Sequence, residues 1–292
     1  MHKVKINLTH VSSQKIREEK PVARSFGWLR NVLVIVSSII ITAVGIKATD
    51  KLTTKSTNTG LCPDDMVEVV YAKGNFCIDK YESSASETCP YQNPASQMEV
   101  LENIDTNSCQ AISAKGKLPW RYISQNQAAI ACARAGKRLP TSAEWQQAAL
   151  GTPDKNDSWN ETDCNVAKNW PSQSVGETGS GINCKSASGV YDLIGNVWEW
   201  TSETASNGRV GEKVLPSQGY VKGMDDAGLP SATGDQPDQQ YYGDFMYLKN
   251  IGIRAVSRGG YWGNEAEAGI YATHIVSEPS YSEEGTGFRC VK

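Results

Sequence analysis

Histidine limits the chemistry open to this sequence. Of 292 residues only three are His, and two of these, His2 and His10, precede an apolar run that ends at Ile46. His274 alone is left for the body of the chain, which excludes a three-His metal centre or a two-His zinc site there. No second His and no recognisable Ser/Asp arrangement accompanies His274, so it reads as an exposed contact residue rather than a general base or metal ligand. Cysteine gives the second constraint. Cys62, Cys77, Cys89, Cys109, Cys132, Cys164, Cys184 and Cys290 all follow the apolar run, and no two form a CxxC pair. An even count confined to one side of an apolar segment points to disulfides in an exported region, not to a thiolate metal knuckle. Cys164 and Cys184 flank a single loop and read as its local closure rather than as a redox pair.

The near-neutral total, 29 Lys+Arg against 32 Asp+Glu, hides a division. Residues 1–46 carry seven basic and two acidic side chains, which leaves 22 basic and 30 acidic ones for the remainder. An acidic body of this kind does not present the clustered cations that nucleic-acid phosphates require, so no nucleic-acid partner is expected. Residues 32–46 contain no charge. A bilayer span needs about twenty mostly apolar residues, and Phe26, Gly27, Trp28 and Leu29 extend the run toward that length if Arg30 snorkels to the headgroups. The basic flank lies on the N-terminal side, which predicts residues 1–31 in the cytoplasm and the main domain outside the cell membrane. A cleaved signal peptide, with Ala43-Val44-Gly45 near its end, is the rival reading and exports the same domain. The expected organisation is a cytoplasmic segment (1–31), a single-pass anchor (32–46), a flexible Lys/Thr/Ser/Asn-rich stalk (47–61) and one domain (62–292).

Within that domain, Met66-Val67-Glu68-Val69-Val70 and Phe76-Cys77-Ile78-Asp79 read as short strands around the turn cluster Lys73-Gly74-Asn75. Ser124 followed by Gln127, and Thr141 followed by Glu144, are capping-box signatures. The first opens a helix with Ala128, Ala131 and Cys132 on its inner face and a stop at Gly136. The second opens one with Trp145, Ala148 and Ala149 inside and a stop at Gly151. Beyond Gly151 the pattern predicts short strand-like pieces separated by long polar loops, the segment 206–244 among them.

The motifs Phe76-Cys77-Ile78-Asp79-Lys80-Tyr81-Glu82, Gly136-Lys137-Arg138-Leu139-Pro140-Thr141, Gly195-Asn196-Val197-Trp198-Glu199-Trp200-Thr201, Ser257-Arg258-Gly259-Gly260 and Gly287-Phe288-Arg289-Cys290 follow one another along residues 62–292. In that order they resemble the formylglycine-generating enzyme (sulfatase-modifying factor) family. The resemblance implies an α+β, C-type-lectin-like fold with few helices, short strands and much irregular loop. It also implies a Cys132–Cys290 disulfide, after which Cys62–Cys77 and Cys89–Cys109 are the residual pairings. The family's enzymes oxidise a substrate cysteine with copper held by two cysteines just after the Gly-Gly motif. Here residues 259–269 contain no Cys, and soft Cu(I) needs thiolates, so neither copper nor catalysis is expected.

The sequence is most similar to the variable proteins of diversity-generating retroelements, in which this fold displays a hypervariable ligand-binding face. On that resemblance Arg258-Gly259-Gly260 and Gly287-Phe288-Arg289-Cys290 are framework. The diversified contact positions between them are Tyr261, Gly263, Asn264, Glu265, Glu267, His274, Val276, Ser277, Tyr281, Glu283 and Glu284. Tyr261 and Tyr281 would supply rigid contact area, and Asn264 and Ser277 adaptable hydrogen bonds. The family also implies a structural Ca²⁺ held by the side chains of Asp192 and Glu199 and the carbonyls of Gly195 and Val197, with Asn165 and Val166 contributing to a second site. The expected function is surface-displayed binding of a protein or cell-surface ligand. The alternative is a catalytically altered enzyme acting on exported proteins.

Overall fold

The computed structural model describes residues 62–292; the expected cytoplasmic segment, anchor and stalk lie outside the described residues. Among the described residues no helix is long and apolar enough to cross a membrane. The first two strands form where alternation placed them. β1 (Met66–Val69) and β2 (Phe76–Asp79) pair antiparallel, and β3 (Ser83–Ala85) pairs with β4 (Ala111–Ser113).

Among the described residues three α-helices are present: α1 (Gln97–Asp105), α2 (Gln125–Arg134) and α3 (Ser142–Ala149). Ser124 and Thr141 each accept from the third helical amide, while Gln127 and Glu144 reach back to the cap amides, so both capping boxes close. Orphan donors at each helix start are thereby satisfied, a contribution of about 1 kcal/mol per cap. Gly136, at φ 68°, turns the chain out of α2. The tight link that follows is fixed by two bonds from the Arg138 guanidinium to Glu144, at 2.7 and 2.6 Å.

The main sheet has nine strands: β5 (Trp198–Ser206), β6 (Arg209–Val210), β7 (Lys213–Val214), β8 (Gly219–Met224), β9 (Pro230–Gly234), β10 (Phe245–Leu248), β11 (Ile253–Gly259), β12 (Gly269–Ile275) and β13 (Thr286–Gly287). Its order is β7-β6-β5-β11-β12-β10-β8-β9, with β13 parallel to β5 and β10 parallel to β12. The segment 206–244 is therefore not the long polar loop expected from its composition. Four of its stretches join the sheet, and their exposed, two- to six-residue strands carry too little apolar alternation to announce themselves.

One core cluster lies where α2 meets β5, around Trp120, Ile123, Trp200 and Phe288; a second surrounds Trp145 of α3 with Leu193, Ile194 and Ile270. The four disulfides are Cys62–Cys77, Cys89–Cys109, Cys132–Cys290 and Cys164–Cys184, as the sequence and the resemblance suggested, and no cysteine is free. Residues 286–292 close against the first hairpin. The Asp79 amide donates to the Cys290 carbonyl at 2.8 Å, Cys77 and Lys292 exchange backbone bonds at 3.0 and 2.8 Å, and Arg138 and Val291 exchange another pair.

Candidate functional site

Strand β5 divides two environments, because successive side chains on a strand point to opposite faces. On one face Glu199 meets Arg289, and both are essentially inaccessible, at 1% and 0% exposed. The guanidinium donates to the two carboxylate oxygens at 2.6 and 2.5 Å, and the Trp145 indole donates a third bond at 2.7 Å. Arg289 donates further to the carbonyls of Asp79 and Tyr191, at 3.1 and 2.8 Å. Two more buried acids adjoin this pair. Burial pushes Asp192 up to about 7. Burial first, then the neighbouring charges of Asp192 and Glu199, holds Glu82 well above the usual carboxylate range.

This arrangement bears directly on the expected calcium. Hard-cation ligation needs unshared carboxylate lone pairs. Those of Glu199 are engaged by guanidinium and indole donors, and Asp192 gives one oxygen to the Gly179 amide at 2.6 Å. Val197 turns its side chain into a cluster with Val175 and Trp262, and Gly195 packs so closely on the Asn165 carbonyl that a Cβ would meet it at 2.2 Å. Within the set Asp192, Gly195, Val197 and Glu199, Arg289 already supplies the countercharge for Glu199, while the second Asp192 oxygen is buried without a hydrogen-bond partner among the described residues. Asn165 donates to the Ser174 carbonyl at 2.8 Å. Among the described residues no group of three or more His, Cys, Asp and Glu side chains is arranged to hold a metal.

The second framework arginine, Arg258, is also fully buried. It donates to the carbonyls of Ala272, Gly228 and Ile270 at 3.0, 2.6 and 2.9 Å and to Ser142 Oγ at 2.6 Å, and it lies 4.9 Å from the Trp145 ring centroid. Burial pushes its pKa down to about 10. It ties β11 to β12, α3 and the loop before β9. Gly259, at φ 93°, lets the next stretch turn away, since a Cβ there would meet the Leu193 carbonyl at 2.7 Å.

Between these anchored motifs lie the expected contact positions, and the structure gathers most of them around two adjoining concavities. Tyr261, Asn264, His274, Glu283 and Glu284 line the first, a cavity of about 420 Å³. His274, Val276, Ser277, Tyr281 and Glu283 line the second, of about 540 Å³, together with Lys249 and Arg254. Glu267 adjoins the first cavity by accepting from the Tyr247 hydroxyl. Gly263 is half-buried against the Tyr261 ring. Glu265 is exposed, at φ 54° in a 3₁₀ turn, and lines neither concavity.

Two expectations change at this face. His274 is not an exposed contact. It is half-buried between Trp198 and Tyr247, with ring centroids at 5.3 and 5.8 Å, and burial pushes its pKa down to about 4. Asn264 is already engaged: its carbonyl accepts from the Tyr261 amide at 2.9 Å, and its amide donates to the Tyr247 hydroxyl at 3.3 Å. Four lining residues of the first cavity also escaped the sequence reading, namely Trp198, Trp262, Tyr247 and Gly285. The two tryptophans look like core in sequence, and at 4% and 9% exposed they nearly are. Tyr247 lies on β10, just beyond the segment expected to be a loop. Parallel pairing sets it directly beside His274.

A family model described as the sulfatase-modifying factor enzyme 1-like domain matches residues 50–292. The Mus musculus protein named inactive C-alpha-formylglycine-generating enzyme 2 is 29% identical over 174 residues, which cover 51% of this chain and 52% of that protein. The formylglycine-generating enzyme of Mycobacterium tuberculosis is 36% identical over 89 residues, covering 25% and 30% respectively. The chain thus spans about half the length of the first and less of the second. Among solved structures, the Major Tropism Determinant I1 variant superposes at a TM-score of 0.42 with 20% identity, over 80% of this chain and 53% of that one. Treponema denticola variable protein 1 does so at 0.40 with 15% identity, over 79% and 99%.

Proposed function

The chain belongs to the sulfatase-modifying factor enzyme 1-like family, with an α+β fold of C-type-lectin type, and we propose that it is a non-catalytic protein that binds a partner through the face between residues 258 and 290. One observation carries this reading. Two buried, fully bonded arginines bracket a stretch whose half-exposed side chains line two adjoining concavities. Such a frame tolerates change at the concave surface, because the bonds that hold the backbone are made by residues outside it. Copper chemistry of the family type needs thiolates, and all eight cysteines are joined in disulfides, which supports binding over oxidation. The inactive designation of the murine relative agrees with this, over the half of that protein which the chain matches.

The finer reading is a membrane-anchored domain displayed outside the cell and diversified by a retroelement. Its support is the position of the concavity-lining stretch between the two framework motifs in sequence and the confinement of all eight cysteines to residues after the apolar run. The decisive assay gives the purified, disulfide-intact domain Cu(I), oxygen and cysteine-containing peptides. No aldehyde product is expected, and its appearance would overturn the non-catalytic reading. For diversification, the gene neighbourhood should carry a reverse transcriptase and a template repeat that matches the codons for residues 258–290 except at adenines. Display is checked by protease treatment of intact cells, which should release residues 62–292.

A further inference from the structure

The two concavities differ in charge. Lys249 and Arg254 line the second, whereas no Lys or Arg lines the first. The first is walled by aromatic rings: Trp198 and Tyr247 meet edge-on at 6.2 Å, and Tyr261 and Trp262 meet at 5.0 Å and 73°. Glu283 and Glu284 stand in its lining, and Glu267 lies behind the Tyr247 hydroxyl. Arg121 beside it is engaged at 2.8 Å by Glu284. His274 stays neutral near pH 7 because burial lowers its pKa, and its ring nitrogens have no hydrogen-bond partner among the described residues.

An anion in this cavity would face carboxylates without a compensating charge. A neutral ring would stack, yet it would strip water from those carboxylates and give nothing back. A cation is favoured by both features, because aromatic faces and carboxylates attract it together. The shape of the cation follows from what is already bonded. A guanidinium seeks two parallel acceptors, but Glu284 is paired with Arg121, and one oxygen of Glu283 takes the Tyr281 hydroxyl at 2.7 Å. A quaternary ammonium has no N–H and would leave the imidazole unpartnered. A compact ammonium with rotatable donors uses single acceptors, which is what remains.

We propose that the cavity between Trp198, Tyr247 and Tyr261 receives a protonated alkylamine, the side chain of a lysine presented by a protein partner. This rests on reading the face as a binding surface and adds the chemistry of the group it accepts. The lysine ammonium enters among the rings, donates to the free Glu283 oxygen and to His274, and leaves the outer face to read the residues around it.

The test titrates the domain with Nα-acetyl-lysine methylamide and follows the fluorescence of Trp198 and Trp262. Its Nε-acetylated form, the arginine analogue and tetramethylammonium serve as comparison probes. Saturable binding of the lysine amide is expected, weakened about tenfold or more by Nε-acetylation, since that removes the charge. Glu283→Gln should weaken it about three- to tenfold with an unchanged near-ultraviolet circular dichroism spectrum. Glu284→Gln, at the more exposed rim, should have a smaller effect in the same direction. Equal binding of the lysine amide and its Nε-acetylated form would overturn the proposal, as would tighter binding of the arginine analogue or of tetramethylammonium, or no binding at all. None of these results touches the non-catalytic reading, which stands or falls on the copper assay.

Discussion

Trp198 and Glu199 are neighbours in sequence, yet they belong to two opposite designs. Behind the strand, Glu199, Arg289 and Trp145 form a polar centre in which the ion pair is bonded on both carboxylate oxygens. In front of it, Trp198 belongs to a cavity where an imidazole lacks a partner and carboxylates face open space. Burial raises the cost of every unmet polar group, so the rear face specifies a single arrangement. The front face retains hydrogen-bonding capacity that nothing in the domain uses. The fold is held by the Arg289 network behind the strand and is available for recognition at the cavity in front of it.

The contrast predicts where substitutions hurt. Arg289→Leu leaves Glu199 charged and buried without its partner, and chemical denaturation should register a loss of about 3–5 kcal/mol. A comparable loss is expected from the double replacement Cys132→Ala and Cys290→Ala, which opens a loop spanning 158 residues; the cost should be about 2–5 kcal/mol. If either change proves neutral, the rear face does not hold the fold as argued.

A third prediction concerns pH. Asp154 lies buried near Asp244, and desolvation raises it from its ordinary 3.8 to about 7. A carboxyl that is harder to ionise in the native state favours folding below the unfolded value, and that contribution is lost as pH rises from about 4 to about 7. Melting temperatures measured across that window should fall with rising pH, and Asp154→Asn should flatten the slope. An unchanged slope in the variant would place the pH dependence elsewhere. Smallest of all, Glu265→Ala and Tyr281→Ala on the front face should shift stability by no more than about 0.5 kcal/mol. A chelator tests the expected calcium: an unchanged melting temperature would leave Arg289 as the countercharge of Glu199, and a lowered one would place Ca²⁺ beside the unpartnered Asp192 oxygen.

What could be read from the sequence follows the range of the interactions. The two capping boxes announced α2 and α3 because a cap and its reciprocal bond span only three residues. Ser96 and Glu99 carry the same S-x-x-E spacing at the start of α1, where Ser96 Oγ accepts from the Glu99 amide, but a weakly apolar helix followed and the signal was passed over. The contact stretch 261–284 was legible as a unit because its flanking motifs are distinctive. The cavity walls were not. Trp198, Tyr247 and His274 come together through the parallel β10–β12 pairing and the antiparallel β5–β11–β12 ladder, which join segments far apart in the chain and leave no local periodicity. The bonding of Glu199 was hidden for a related reason: nothing near it in sequence reveals that Arg289 lies against it.

The closure of residues 286–292 onto the first hairpin also sets an order of assembly. The amides of Cys77, Asp79 and Ser83 donate to the carbonyls of Lys292, Cys290 and Phe288, in addition to the pairing within each hairpin. A nascent chain that has exposed the hairpin therefore has to hold it incomplete until more than two hundred further residues have been made. Contacts of such span make folding slow and leave strand edges open in the meantime. Oxidation that joins Cys132 to Cys290 only after residues 286–292 have emerged suits a domain whose first hairpin is completed by so distant a segment.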